Sequence, residues 1–304
     1  MSALESYLTR LTTMRNATVP ETSHYAALKD FLDDCGAALK PAVHALIHPK
    51  DMGAGIPDLG LFVLTQPDDQ KPERGVIEAK PLSADLNKTT ASDQVKKYLA
   101  HYGQVLVTNF YQFTLVTRGK DGQPQFEESY ALAQSESAFW HEMHHPRAFA
   151  QHHDHPLREY LLRVMRRPAP LADPRDVAWM LASYARVARL KVSQAGDLAA
   201  LNNIRADMER ALDFKFDEDQ GDQFFRSTLI QTLFYGVFSA WVAWHESHPP
   251  ADERFDLWKH TRTESKAVIR DLFRQITDPA HLQPLGLEPL LNWTTDGTPA
   301  RRGG

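Results

Sequence analysis

Apolar positions change their spacing along the chain. In residues 21–40, Tyr25, Leu28, Phe31, Leu32 and Leu39 recur at helical intervals, which predicts a helix over that segment. Gly53, Gly55 and Pro57 then punctuate a loop ahead of the apolar run Leu59–Leu64. Residues 66–74 are polar, and Gly75–Ala79 is the next apolar run. Two short apolar runs around a polar break predict a hairpin. Ser92 is a good N-cap and predicts a helix over Asp93–Tyr102. Beyond it, QVLVTN (104–109) and FTLVTR (113–118) read as β-branched strands joined by a short aromatic turn. The order helix, strand, strand, helix, strand, strand defines an α/β layer.

Near residue 156 the period becomes helical almost throughout, with helices expected at 157–166, 174–191, 197–216, 222–247 and 262–276. The expected organisation is an α/β domain over 1–156, an all-α domain over 157–292, and a disordered tail at 293–304, rich in Thr, Gly and Arg. Charge is segregated in the helical half. Arg158–Lys191 holds eight Lys/Arg against three Asp/Glu, a balance of +5, and Asp207–Asp222 holds seven acids against two bases, a balance of −5.

Composition narrows the function. The chain has 304 residues, 42% hydrophobic and 24% charged, enough for one large domain or two ordinary ones. No apolar run approaches the roughly 18 residues needed to cross a bilayer, so no membrane partner is expected. The opening MSALESYLTRL lacks a basic-then-apolar signal pattern. A single cysteine, Cys35, excludes an internal disulfide framework and a Cys-built zinc site. Its place on the apolar side of the first helix suits a small core residue. A cytoplasmic location is the default expectation. With a net charge of −5, nucleic-acid binding requires a local basic patch.

Two short runs carry the candidate chemistry: Gly55-Ile56-Pro57-Asp58 entering one strand, and Ile77-Glu78-Ala79-Lys80 ending the next. Residues two apart in a strand share a face, so Glu78 and Lys80 project together while Ile77 and Ala79 face the core. A hairpin brings Asp58 alongside them at a sheet edge. Two ionised carboxylates about 4 Å apart repel by about 4 kcal/mol at an effective dielectric of 20. Such crowding suits a hard divalent cation bound by few oxygens, with positions left open for phosphate and water, which favours Mg²⁺ over zinc. In phosphodiester hydrolysis Asp58 and Glu78 would hold Mg²⁺, with Mn²⁺ a possible substitute. Lys80 would orient or deprotonate the attacking water and offset charge on the transition state. An E-x-K triplet alone carries almost no information; the preceding Pro-Asp, the strand placement and the following helix make it specific.

The Pro57-Asp58…Glu78-Ala79-Lys80 arrangement resembles the PD-(D/E)xK nuclease motif, within that family's helix–strand–strand–helix–strand order. Gln94-Val95-Lys96-Lys97-Tyr98 is similar to the Q-x-x-x-Y motif of the RecB-like branch. The resemblance implies that Gln94 supports the catalytic centre and Tyr98 contacts nearby backbone or DNA. Glu21, opening the first helix, matches an N-terminal acidic position and is a further candidate metal ligand, although a helix-start glutamate is favoured by the dipole alone. Lys96 and Lys97 are candidate phosphate contacts, as are Arg163, Arg166 and Arg167 in the basic stretch.

Residues 102–118 look like the strand–Thr-Asn–strand segment of nuclease domains fused to adenine methyltransferases. Phe224–Ala243 resembles the connector helix after the nuclease in single-chain type ISP and type IIG-like restriction–modification enzymes. No N-P-P-[YF] tetrapeptide and no glycine-rich cofactor loop occur, so methyltransferase activity does not carry over. The implied fold is a restriction-endonuclease-like core, a mixed sheet flanked by helices, followed by an all-α connector. The implied substrate is double-stranded DNA, with a methyltransferase or specificity domain or subunit as partner, in restriction or phage defence. The alternative is a DNA-binding or scaffold module with an inactive nuclease site.

One decoy is expected to fail. His141-Glu142-Met143-His144-His145 fits H-E-x-x-H, but a zinc peptidase needs both histidines on one unbroken helix, and Pro146 follows at once. The aromatics Phe224, Phe225, Phe234, Tyr235, Phe238, Trp241 and Trp244 recur at helical spacing, which predicts helix packing rather than base stacking.

Overall fold

The computed structural model describes residues 1–17, 22–119, 122–167, 174–196, 198–216, 221–247, 277–288 and 290–291. Glu21, the helix expected at 262–276 and the tail at 293–304 lie outside them. The chain divides into two compact units, Met1–Ala169 and Pro170–Gly304.

The first unit is α/β. Helices α1 (Ala3–Ala17) and α2 (Thr22–Gly36) lead into strands β1 (Val43–Ile47), β2 (Leu59–Val63) and β3 (Val76–Ala79). Helices α3 (Leu86–Thr90) and α4 (Asp93–Tyr102) follow, then strands β4 (Gln104–Thr108), β5 (Gln112–Arg118) and β6 (Pro124–Ala131). Helices α5 (Glu136–Glu142) and α6 (Pro146–Arg166) complete it. One six-stranded sheet runs β1-β2-β3-β4-β5-β6. It is mixed: β3 and β4 pair in parallel, and every other neighbouring pair is antiparallel. The β3–β4 crossover is made by α3 and α4, as a parallel pair requires.

Local chemistry explains the elements that position the site. The Ser92 hydroxyl accepts the Val95 N–H at 3.3 Å, capping α4, a contact worth about 1 kcal/mol. Val95, Tyr98, Leu99 and Tyr102 of α4 then pack on Val76, Val105 and Val107. Strands β2, β3 and β4 are buried along their whole length, the pattern of strands covered on both faces. At the outer strand, Asp33 of α2 accepts the Ala45 N–H at 2.7 Å, which satisfies a donor that an edge strand would leave open.

Five elements of this unit escaped the hydrophobic pattern: α1, β1, α3, β6 and α5. The site therefore does not sit at a sheet edge. The addition of β1 outside β2, and of β4 beside β3, makes β2 and β3 interior strands. Residue 156 lies inside α6, where Pro156 is tolerated, and α6 packs on α1 and α2.

The second unit is helical: α7 (Pro174–Gln194), α8 (Ala199–Leu212), α9 (Gly221–Ser247) and a short helix Pro279–Leu282. Its core joins Tyr184, Ile204, Met208, Phe225, Leu233 and Leu282. The expected packing of the α9 aromatics holds for Phe225 and Phe234, whereas Phe224, Tyr235 and Phe238 are solvent-exposed. An apolar residue all round a helix cannot be assigned a buried face from its spacing. The side chains of Trp241 and Trp244 are outside the described residues. No helix among the described residues is long and apolar enough to cross a membrane.

Candidate active site

The loop before β2 delivers Asp58. Asp51 Oδ1 accepts the N–H groups of Gly53 and Gly55 at 2.7 and 3.0 Å. Both glycines have positive φ, 99° and 92°, which a side chain would strain. The loop is then pinned to α4: Gln94 Nε2 donates to the Tyr98 hydroxyl at 2.9 Å, and that hydroxyl donates to the Ile56 carbonyl at 2.9 Å. Two residues later, Asp58 enters the sheet.

The antiparallel β2–β3 pairing sets Leu59 opposite Ile77, which brings Asp58 beside the end of β3. Asp58 Oδ2 accepts the Ala79 N–H at 2.8 Å, and Oδ1 accepts the Tyr25 hydroxyl at 2.9 Å. Lys80 Nζ bonds Glu78 Oε1 at 2.6 Å. The Glu78 side chain is only 3% exposed and that of Lys80 35%. Sharing a strand face does not put Glu78 in solvent, because α4 covers this side of the sheet. A carboxylate so buried needs a charged or hydrogen-bonding partner, and Lys80 supplies one. The parallel neighbour fixes Lys80 in turn: its N–H donates to the Thr108 carbonyl at 2.8 Å.

Burial pushes the Tyr98 phenol up, and the neighbouring Glu78 and Asp58 charges push the same way against the lowering effect of Gln94. The phenol therefore stays a neutral donor at the site. Asp58, Glu78, Lys80, Gln94 and Tyr98 thus come together in space.

The other sequence candidates separate. Lys96 is exposed and reaches Asp93 at 3.3 Å, and Lys97 is exposed. Arg163, expected to meet phosphate, is instead buried: its side chain is 4% exposed and held by Glu128, with Nε at 3.1 and 3.2 Å from the two carboxylate oxygens. Arg167 pairs with buried Glu127 at 3.0 Å. The period of α6 turns these two arginines to β6 rather than to solvent, so they are not a phosphate-binding face. Arg166 is half-buried.

The helix break expected at Pro146 is present: His141 lies in the last turn of α5, while His145 precedes α6 with φ −127° and ψ 62°, so the two histidines do not share one unbroken helix. Cys35 is buried, and its thiol is pushed up to about 12 by desolvation.

Asp58 and Glu78 are two carboxylate donors, the ligand type that a hard cation takes. Among the described residues no group of three His, Cys, Asp or Glu side chains could hold a metal ion. A two-carboxylate set, completed by water and phosphate, would suit Mg²⁺ better than zinc.

Sequence reasoning missed two partners of the site. One is the Tyr25 hydroxyl, whose position 33 residues upstream carries no local signal. The other is Asn109, whose Nδ2 lies 3.3 and 3.2 Å from the Leu82 and Ala84 carbonyls and 3.0 Å from Gln112 Oε1, tethering the loop after Lys80. No family model, curated protein or solved structure matches the chain.

Proposed function

We propose that residues 1–169 form a Mg²⁺-dependent DNA endonuclease of PD-(D/E)xK type, carried with a helical connector in a restriction or phage-defence enzyme. The observation that carries the reading is the junction of Asp58 with the Glu78-Ala79-Lys80 triplet. Asp58 is tied to the Ala79 N–H at 2.8 Å, and Lys80 Nζ stands 2.6 Å from Glu78. A buried Glu–Lys pair alone is a structural feature. A second carboxylate, Asp58, tied to the residue between them adds an oxygen donor that a cation could share with Glu78.

Asp58 and Glu78 would hold the metal, which when bound supplies Lewis-acid polarisation of the scissile phosphate and a more acidic water. Lys80, partly exposed beside Glu78, directs the attacking water and offsets charge growing on the phosphate. Gln94 and Tyr98 keep the Ile56 carbonyl, and hence the approach to Asp58, in place. Incubation of the purified chain with supercoiled plasmid and Mg²⁺ tests the reading. Nicking or linearisation that EDTA stops, and that Asp58→Ala and Glu78→Ala abolish, is expected. Retained cleavage by Asp58→Ala protein, with contaminating nuclease excluded, would overturn it.

A further inference from the structure

Among the described residues, three that are not glycine have a left-handed backbone: His48 (φ 48°), Phe110 (φ 72°) and Asp213 (φ 51°). Asp213 follows the last turn of α8, where this conformation is an ordinary cap. The other two flank one side chain. The Tyr25 ring meets the His48 ring edge-on at 5.7 Å and stacks with Phe110 at 6.3 Å. A bulky residue at positive φ persists only where its surroundings over-determine it.

They do so here. The Phe110 N–H donates to Thr108 Oγ1 at 2.9 Å, and its carbonyl accepts the buried Tyr7 hydroxyl at 2.7 Å. The His48 N–H donates to the Asp58 carbonyl at 2.9 Å. Between these two residues Tyr25 is 6% exposed, with its hydroxyl 2.9 Å from Asp58 Oδ1.

We propose that Tyr25, clamped by His48 and Phe110, is a positioning residue that locks the Asp58 carboxylate in one orientation for a divalent cation. The inference rests on the nuclease reading. An ionised carboxylate offers about four lone-pair positions. The Ala79 N–H occupies one on Oδ2 and Tyr25 one on Oδ1. Held at both oxygens, the carboxylate does not rotate, and a cation meets its remaining lone pairs in a single geometry. Loss of the tyrosine hydroxyl has two opposed effects. Oδ1 regains electron density, which tightens cation binding, and the carboxylate gains rotational freedom, which weakens it. Orientation dominates, since removing a hydrogen-bond partner of a ligand commonly costs about 10- to 100-fold in metal affinity or activity.

Tyr25→Phe keeps the ring and its packing and removes only the hydroxyl. Spin-resonance titration of the full chain with Mn²⁺, without DNA, should show affinity about tenfold weaker than the parent's. The Mg²⁺ concentration for half-maximal plasmid cleavage should rise by a similar factor, with the rate at saturating Mg²⁺ changed by no more than about twofold. That split separates positioning from general destabilisation, which would lower the saturated rate. Phe110→Asn, which accepts the left-handed backbone but removes the stacking ring, should shift Mn²⁺ affinity in the same direction by a smaller factor. It serves alone if Tyr25→Phe does not fold. Unchanged or tighter Mn²⁺ binding by the variant, beside a parent that binds and cleaves, would overturn the role of Tyr25 alone. A parent that binds no Mn²⁺ would overturn the nuclease reading and this inference together.

Discussion

Replacing Arg163 by Met separates a structural arginine from a DNA-binding one. Its guanidinium and the Glu128 carboxylate are 4% and 9% exposed, and Arg163 reaches both carboxylate oxygens. Arg163→Met leaves Glu128 buried beside an apolar chain. Breaking one side of a buried pair costs about 3–5 kcal/mol. For a domain of this size each kcal/mol lowers Tm by roughly 2–4 °C, so the expected loss is roughly 6–20 °C. The double variant Arg163→Met/Glu128→Leu removes both charges, and replacing a buried pair by apolar groups is often neutral. It should melt within about 1–2 kcal/mol of the parent. Thermal unfolding of the four proteins completes the cycle. DNA affinity across a salt series, measured below the lowest melting temperature, should have the same slope for all four. A melting point within about 2 °C of the parent, with a salt slope reduced by about one, would show that Arg163 meets phosphate instead.

Two further outcomes are expected. Lys80→Ala should lower the cleavage rate at saturating Mg²⁺ by at least about 10²-fold, and partial rescue by Lys80→Arg would indicate an electrostatic role rather than a base; an unmodified rate would remove Lys80 from the chemistry. His153 is lowered from 6.5 to about 4, first by burial and then by neighbouring His152. The folded protein therefore keeps this ring neutral while the unfolded chain takes up a proton, so its stabilising contribution is present above about pH 6.5 and is lost progressively towards pH 4. Melting curves between those values should fall less steeply for His153→Phe, and identical slopes would refute the assignment.

Local pattern sufficed wherever one short-range force dominates. Ser92 followed by an amphipathic decamer gives α4, and β-branched runs around a short turn give β4 and β5. Gln94 and Tyr98, four residues apart on a helix, necessarily share a face. Asp58, Glu78 and Lys80 were legible as a set because a hairpin has few registers that bury Ile77. Strand β1 was not legible, since five residues carrying a histidine between prolines give no clear alternation. Strand β6 was missed because it is largely polar. Its buried Glu127 and Glu128 make sense only opposite Arg167 and Arg163, which lie 40 and 35 residues further along the chain. Tertiary structure alone decided the rest: that the site lies on interior strands, that Arg163 and Arg167 point inward, and that Tyr25 reaches Asp58. Each depends on pairing between distant segments, and hydrophobic period specifies which face of an element is buried without naming the partner that buries it.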